Sequence, residues 1–355
     1  MTNVASSENL ERAGEGDDGG AARGTYLLTI RRVRFDADEA ESFRDYFRSV
    51  AIVCDVLVVD GSPPDVFAAH AKAWQGACRH APVDPQHKYL NGKVNGIHTG
   101  VAISAHERII LADDDIRYTP DDLRRMLRLL ADYEMVRPQN YLSPLPLWAR
   151  TEAARMLINR AWIAEGDYPG TLGVRRSAML RVGHYDGDVL FDNEEIVRHF
   201  RAKEAHVGYA RDFFILKHPP SGRKWLEQRP RQAYEDFVMR TKTAFFAALP
   251  LALALVWFVS GWKWALGFVS AVACGAVLLA ARGRGDGASR FFPAHLCLYA
   301  PVWIAERVAS TYWALYWRAA YGGYPFGDKL VAKGTGRAWR VGGRRRAAPN
   351  TPSEL

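Results

Sequence analysis

The sequence predicts an α/β domain that is followed by a C-terminal α-helical transmembrane module. Three observations lead to this fold class. Apolar, β-prone segments alternate with segments of helical periodicity over residues 26–133, one β-prone segment ends in consecutive aspartates, and long uncharged segments occur in the last third of the chain. The alternation favours a sheet with helices packed on it, and the uncharged segments are long enough to cross a hydrocarbon core.

The first elements have a βαβ order. Residues 26–30 predict a strand, residues 36–50 carry apolar and aromatic side chains at helical spacing, and residues 51–59 predict a second strand. Two such strands joined by a helix form a right-handed parallel unit. Asp60 follows the second strand, where its carboxylate would accept hydrogen bonds from a nucleobase or a ribose. The alternative is that Asp60 serves only an Asp-Gly turn.

A glycine-rich segment, residues 88–96, comes after a further helical segment at residues 65–78. Its glycines predict a bend in the backbone, just before a helix at residues 97–106. Lys93 lies in this predicted loop, where its ammonium group would meet a phosphate. The alternative is an ordinary solvated lysine.

The aspartates at residues 113–115 end an apolar strand predicted at residues 109–112. Such a strand delivers its last residues to the carboxyl edge of a sheet, where open α/β folds bind ligands. Adjacent carboxylates repel one another unless an ion neutralises them, and hard oxygen ligands suit Mg²⁺ or Mn²⁺. Asp113 and Asp115 are therefore the predicted metal ligands. The alternative is a solvated loop between a strand and a helix.

The next pair of aspartates has a different explanation. Thr119 predicts an N-cap, Pro120 suits the first helical position, and Asp121 and Asp122 occupy the first turn of a helix over residues 123–133. We therefore assign Asp121 and Asp122 to helix initiation.

Composition narrows the class of protein. The chain has 355 residues and a formal net charge of +8, and the basic excess flanks the apolar segments of the C-terminal half. This distribution suits an anionic membrane surface better than a nucleic acid. Residues 1–24 predict a disordered tail and no signal peptide. The cysteines form no C-x-x-C pair, which fits a reducing compartment; they are Cys54, Cys78, Cys274 and Cys297.

Several motifs together resemble the family-2 glycosyltransferases, whose GT-A fold is a Rossmann-like nucleotide-sugar-binding domain. The resemblance covers residues 26–240 and rests on the order and spacing of the motifs. They lie at residues 58–62, 92–96, 111–115 with Pro120 after them, 170–176, 182–186 and 193–196.

The resemblance implies roles for the matching residues. Asp60 would contact the uridine or guanosine of a UDP- or GDP-sugar donor. Asp113 and Asp115 would form the D-x-D motif, with Asp115 nearest to the Mg²⁺ or Mn²⁺ ion that bridges the diphosphate. Where such enzymes carry a Glu-Asp pair with the catalytic base, this chain has Glu194-Glu195. Register favours Glu195, and Glu194 and Asp192 are the alternatives. These acids also suit the first turn of a helix.

Two features downstream extend the predicted site. Family members at membranes often carry Q-x-x-R-W, of which this chain keeps Gln228 and Arg231 but not the Trp. Both are predicted to bind the donor, with Lys224-Trp225 as a partial substitute for the missing residue. His218 follows the last predicted strand and would complete the coordination sphere of the metal ion or contact the diphosphate. A structural role for His218 is the alternative.

The membrane module is predicted at residues 241–322. Residues 243–281 would form a hairpin of two spans, because paired Trp residues mark the turn and basic residues flank the two outer ends. Both ends would then face the cytoplasm. Residues 291–320 carry Glu306-Arg307 and two prolines, which favours interfacial or re-entrant helices. A third crossing is the alternative, and it would place the basic tail at residues 323–355 outside.

These patterns predict an inverting, metal-dependent glycosyltransferase at the cytoplasmic face of the cell (inner) membrane, with a catalytic domain at residues 25–240. A divalent ion would neutralise the leaving diphosphate, and a carboxylate would deprotonate the acceptor hydroxyl during attack from the opposite face. A membrane module favours a lipid or lipid-linked acceptor. The alternatives are a membrane-anchored nucleotidyltransferase and a catalytically idle membrane-interaction protein. No nucleic acid partner is expected.

Overall fold

The computed structural model describes residues 23–235, 240–326 and 329–333. The described residues fall into two compact units. The first unit contains residues 23–140, 168–187 and 192–218, and the second contains the remaining described residues. Most of the two predicted tails, at residues 1–24 and 323–355, lies outside the described residues.

An eight-stranded sheet organises the first unit. In chain order its strands are β1 (Gly24–Ile30), β2 (Cys54–Asp60), β3 (Arg79–Pro82), β4 (Arg108–Ala112), β5 (Ile116–Arg117), β6 (Met135–Leu142), β7 (Thr171–Arg175) and β8 (Val207–Lys217). Their spatial order is β3-β2-β1-β4-β7-β6-β8-β5. The first four of these neighbours are parallel, and β7 runs antiparallel to both β4 and β6. The sheet is therefore mixed.

The predicted βαβ unit is confirmed. Helix α1 (Ala37–Val50) begins after its N-cap Asp36 and connects β1 to β2, and these strands pair in parallel. In their register Ile30 lies opposite Asp60, while Leu28 of β1 lies opposite Ala112 of β4. The carboxyl ends of β1, β2 and β4 thus meet at one edge of the sheet.

Helices cover both faces of this sheet. In chain order the helices of the first unit are α1, α2 (Pro64–Ala73), α3 (Gly92–Ile103), α4 (Pro120–Asp132), α6 (Arg176–Val182) and α7 (Asp192–Ala202), and α5 (Leu147–Trp162) belongs to the second unit. One core packs α1 and α4 against residues such as Tyr26 and Leu28. The other packs α3, α6 and α7 against Leu27 and its neighbours. The alternation along β1 assigns successive side chains to opposite faces.

The prediction for residues 88–96 was wrong in one respect. Helix α3 begins at Gly92, so Lys93 and Gly96 lie in its first turns and not in a bent loop. The glycines serve close packing, because a Cβ at Gly96 would lie 2.9 Å from Thr29 Cγ2 and one at Gly100 only 2.4 Å from Leu27 Cδ1. Helix α3 therefore approaches β1 more closely than side chains would allow.

The second unit is mainly helical. After α5 it contains α8 (Gly222–Glu235), α9 (Arg240–Ser260), α10 (Trp262–Arg282), two short 3₁₀ helices at Ala288–Arg290 and Ala294–Tyr299, α11 (Ala300–Tyr321) and a hairpin of β9 (Tyr324–Phe326) and β10 (Lys329–Val331). Among the described helices, the segments Thr241–Ser260 and Trp262–Arg282 are long and apolar enough to cross a membrane. Their side chains are mostly exposed, as at Phe258 (85%) and Trp264 (70%).

Helix α11 contains the charged pair that interrupts the third apolar segment. Arg307 is buried, lies over the ring of Trp303, and donates a hydrogen bond to Gln232 Oε1 at 3.2 Å. This charge is thus directed into the second unit. The rest of α11 carries exposed aromatic side chains, among them Trp313 and Tyr316.

Candidate active site

Each aspartate of the triplet at residues 113–115 has a basic partner from the chain. The pairs are Arg32 with Asp114 at 2.7 Å, Lys217 with Asp115 at 3.4 Å, and Lys93 with Asp113. The partners come from the segment after β1, the end of β8 and the start of α3. The sequence predicts that a bound ion offsets the repulsion among these carboxylates. In the structure, basic side chains of the chain also offset it.

The backbone of Asp113 is fixed by a hydrogen bond to Gly170, and there is little space between these two residues. Its backbone N–H donates to the carbonyl of Gly170 at 2.9 Å, and Gly170 is held in turn by Asn140, whose Oδ1 accepts its N–H at 2.7 Å. A Cβ at Gly170 would lie 2.9 Å from Asp113 Oδ2 and 3.3 Å from Lys217 Nζ. The glycine therefore leaves the space around this carboxylate open.

Lys93 connects the two acidic segments that the sequence analysis singled out. Its Nζ contacts Asp113, lies 2.8 Å from Oδ2 of Asp192, and donates to Oδ1 of Asn193 at 3.1 Å. The N-cap Asn91 fixes the start of α3 by accepting the N–H of Lys93 at 3.1 Å. One ammonium group thus brings the end of β4 and the start of α7 together.

Asp115 lies at the turn into β5. Burial raises the pKa of its carboxyl group, Asp113 and Asp114 raise it further, and Lys217 opposes them. The backbone N–H of His218 donates to the carbonyl of Asp115 at 2.8 Å, which places His218 next to this aspartate. A cation at Asp115 would favour the charged carboxylate that burial disfavours.

The residues present fit a divalent metal at an open site. Oδ1 of Asp115 is buried without a hydrogen-bond partner, Oδ1 of Asp113 is buried against the ammonium group of Lys93, and carboxylate oxygens are the ligands that Mg²⁺ and Mn²⁺ prefer. In the described part of the chain, no three His, Cys, Asp or Glu side chains are placed to hold a metal ion. The remaining ligands would come from a substrate or from water, as in sites where a metal meets substrate phosphates.

The three candidate bases lie in the first turn of α7 and have different surroundings. Glu195 is 3% exposed and pairs with Arg198, while Glu194 lies 3.3 Å from the buried Arg137. Asp192 shares Lys93 with Asp113. This geometry favours Asp192 as the catalytic base, whereas the register of the sequence motif favours Glu195.

Asp60 ends β2 as predicted, at the same sheet edge, but its side chain is fully buried. It accepts hydrogen bonds from His70 Nδ1 at 2.7 Å, His80 Nε2 at 3.1 Å and the N–H of Ser62 at 2.8 Å. Burial by itself raises the pKa of Asp60, but the hydrogen bonds from His80, Ser62 and His70 outweigh it and hold the pKa well below its usual range. The carboxylate thus organises the end of β2, and its contact with a nucleobase stays a prediction.

Gln228 and Arg231 lie on α8 in the second unit. There Arg231 donates to the carbonyl of Leu190 at 2.7 Å and lies over the ring of Phe191. Trp225 stacks with Arg229. The donor-binding role of Gln228 and Arg231 stays a prediction.

Sequence reasoning missed Arg32 and Lys217. Arg32 also binds Glu39 through both carboxylate oxygens, which fixes its guanidinium beside Asp114. Lys217 is the last residue of β8, directly before His218. Both residues lie at or just after the end of a strand, which the sequence shows, but their pairing with the aspartates depends on the order of the strands in the sheet.

Comparison with known proteins gives a family match for part of the chain. Residues 39–179 match the sequence profile of Glycosyl transferase family 2. Among curated proteins, none matches the chain. The chain is similar to the mannosyltransferase PcManGT from Pyrobaculum calidifontis, solved with GDP-Man and Mn²⁺, at 16% identity and a TM-score of 0.49 over 86% of this chain and 93% of that one. It is also similar to glucosyl-3-phosphoglycerate synthase from Mycobacterium tuberculosis, solved with Mn²⁺, UDP and glucosyl-3-phosphoglycerate, at 14% identity and a TM-score of 0.36 over 61% and 75%.

The mixed sheet with helices on both faces and acidic groups at its carboxyl edge defines a GT-A-like glycosyltransferase domain. The match over residues 39–179 then gives the domain its family: this part of the chain is a Glycosyl transferase family 2 domain, which supports a glycosyltransferase.

Proposed function

We propose that the chain is an inverting, metal-dependent glycosyltransferase that moves a sugar from a UDP- or GDP-sugar to a lipid or lipid-linked acceptor at the cytoplasmic face of the cell membrane. The observation that carries the proposal is the joining of two acidic segments by one lysine: Lys93 contacts both Asp113 and Asp192. A transferase needs one carboxylate set for the leaving diphosphate and another for the acceptor.

The donor would bind at the carboxyl edge of the sheet. Asp113 and Asp115 would hold Mg²⁺ or Mn²⁺, which when bound neutralises the charge that develops on the leaving diphosphate. Lys93 and Lys217 would donate hydrogen bonds to phosphate oxygens, since both ammonium groups lie beside these aspartates. His218 is an additional candidate for the diphosphate, and Asp60 would orient the residues that face the nucleobase.

Asp192 would act as the general base. It would take the proton of the acceptor hydroxyl while that oxygen forms a bond to the anomeric carbon and the bond from this carbon to the diphosphate oxygen breaks. The electron pair of the broken bond leaves with the nucleoside diphosphate. Attack from the face opposite the leaving group inverts the anomeric centre. A positioned base of this kind typically contributes about 10²- to 10⁴-fold in rate.

The two apolar helices support a membrane location. A soluble core helix of this length would be mostly buried, whereas α9 and α10 expose Leu255, Phe258 and Val259 on one helix and Trp264 and Leu278 on the other. Trp262, Lys263 and Trp264 lie at the turn between them, as expected at a membrane interface. A multi-pass module of this kind favours an acceptor that is itself in the membrane.

Calorimetric titration with a panel of nucleoside diphosphates tests the proposal. Purified wild type and D115A would each be titrated with and without Mn²⁺. We expect metal-dependent binding of one diphosphate to wild type and its loss in D115A, and the preferred base would identify the donor nucleotide. A folded preparation that binds no diphosphate would overturn the proposal.

A second assay addresses the acceptor. Membranes that contain wild type or D115A would be supplied with the radiolabelled donor and extracted with organic solvent. Label in the organic phase with wild type alone supports a lipid acceptor. Label that appears only in water-soluble product excludes it.

A further inference from the structure

We propose that the segment at residues 329–333, called the strap below, positions the loop at residues 188–191 and, through this loop, the proposed base Asp192. The inference rests on the proposed function and goes beyond it, because it makes the rate of transfer depend on a segment that follows the apolar helices. The strap and the loop both belong to the second unit, and Asp192 follows the loop directly in the chain.

The strap contacts the loop through backbone groups. Lys333 forms an isolated parallel β-bridge with Val189, and the carbonyl of Lys333 accepts the N–H of Leu190 at 3.2 Å. Arg231 of α8 donates to the carbonyl of Leu190 at 2.7 Å and lies over the ring of Phe191. Both backbone polar groups of Leu190 therefore have partners, as the complete burial of this residue requires.

The strap is itself fixed within the second unit. The carbonyl of Ala332 accepts hydrogen bonds from the hydroxyl of Tyr234 and from the guanidinium of Arg318, each at 3.0 Å. Val331 is fully buried and lies opposite Tyr324 in the hairpin of β9 and β10. The rings of Tyr324 and Tyr234 are in contact, with their centroids 5.8 Å apart. Side chains of α8 and α11 therefore hold the strap where its last residue meets the loop.

The position of a general base decides how well it works. The base must lie within about 3 Å of the proton that it takes, and a misplacement of about 1 Å can lower the rate by about 10²-fold. Asp192 is the first residue of α7, and helix ends fray more easily than helix interiors. Lys93 holds the carboxylate of Asp192, and the strap would fix the backbone that precedes it.

Two charge substitutions in the strap test the inference with the full chain. V331D places a carboxylate at a buried position and should release the strap. The matched control is A332D, which places the same charge on the next residue, where the side chain is exposed, and keeps the carbonyl that accepts from Tyr234 and Arg318.

Three quantities would be measured for each variant. They are the rate of label transfer at saturating donor, the affinity for the nucleoside diphosphate that wild type prefers, and amide hydrogen exchange of the peptide that contains Leu190. Hydrogen exchange reports on the strap directly, because the Leu190 amide donates to the strap, and it does not depend on catalytic activity.

We expect V331D to lower the transfer rate by about 10²-fold, to keep the diphosphate affinity of wild type, and to speed hydrogen exchange at Leu190. A332D should match wild type in all three measurements. A purely structural role of the strap would instead lower the diphosphate affinity together with the transfer rate, and that result would contradict the positioning of Asp192.

Faster exchange in V331D without a loss of transfer rate would overturn the inference, as would unchanged exchange, and both results leave the proposed function intact. Failure of wild type to bind any diphosphate would instead overturn the proposed function. If V331D does not fold, Y234F removes one donor to the strap and keeps the ring. It should show faster exchange at Leu190 and a smaller loss of rate, whereas Y316F, at an exposed tyrosine of α11, should show neither.

Discussion

The guanidinium of Arg32 lies 2.7 Å from the carboxylate of Asp114 and also donates hydrogen bonds to both carboxylate oxygens of Glu39 in α1. The middle aspartate of the triplet is thereby tied to the segment that follows β1. Asp113 and Asp115 instead pair with Lys93 and Lys217, and Oδ1 of Asp115 is buried without a hydrogen-bond partner. The three adjacent aspartates therefore divide into two ligand candidates and one structural residue.

This division predicts unequal effects of the same substitution. D115N should lower transferase activity by at least about 10²-fold, because a metal ligand that stabilises the leaving group is lost. D114N keeps the shape of the side chain and should retain activity within about tenfold, with a small loss of stability from the weakened pair with Arg32. Initial rates over a series of Mn²⁺ concentrations would measure both. Equal loss in the two variants would contradict the assignment.

The first turn of α7 allows the base to be identified. D192N should lower kcat by about 10²- to 10⁴-fold and leave the affinity for the nucleoside diphosphate within a few-fold of wild type. E195Q should retain most of kcat but lower the melting temperature, because Arg198 would lose its buried partner. E194Q is the matched control on the same turn. A folded but inactive E195Q beside an active D192N would show that register identified the base correctly.

Local signals gave the predicted fold, and long-range pairings account for what the sequence left open. Thr119 and Asp122 form a reciprocal capping box, with hydrogen bonds of 3.0 and 3.2 Å, so α4 begins where its sequence predicts. No local pattern predicts that Lys217 meets Asp115, since this pair depends on β5 and β8 being neighbours in the sheet. The start of α3 was missed because glycine has a low helix propensity, and here its packing against β1 outweighs that cost.

A buried histidine predicts acid sensitivity of the first unit. His98 is 8% exposed, and its ring stacks on that of His184 with the centroids 4.1 Å apart. Burial, together with the neighbouring His184, His87 and His199, lowers the pKa of His98 to about 3. An unfolded histidine has a pKa of about 6.5. The unfolded chain therefore binds more protons between these two values, and stability falls as the pH decreases through this window.

The variant H98F keeps an aromatic ring in the stack but cannot be protonated. We expect its melting temperature to fall less than that of wild type between pH 7 and pH 4, because the histidine contributes at most about 1.4 kcal/mol per pH unit to the loss. The control is H206F, in which the exposed His206 is replaced, and its pH profile should follow that of wild type. Parallel profiles of H98F and wild type would show that His98 is not the source of acid sensitivity.

In the second unit, Gly283 ends α10 against the backbone of α5. A Cβ at Gly283 would lie 1.9 Å from the carbonyl oxygen of Leu157, whereas one at Gly285 would meet only Arg282 O at 3.5 Å. The buried Arg160 donates to the carbonyls of both glycines, at 3.1 and 3.2 Å, and alanine would keep both carbonyls. The two glycines therefore differ in the space available for a Cβ, and the carbonyls of both accept a hydrogen bond from Arg160.

We therefore expect G283A to destabilise the protein by about 3 kcal/mol, because backbone atoms cannot move aside as a flexible side chain can. G285A should change stability by less than about 0.5 kcal/mol. Thermal unfolding of both variants in the same detergent, followed by tryptophan fluorescence, measures the difference. If both variants have the melting temperature of wild type, the contact between α10 and α5 is looser than the structure indicates. If both melt early, loss of the Arg160 hydrogen bonds and not the missing space would be the cause.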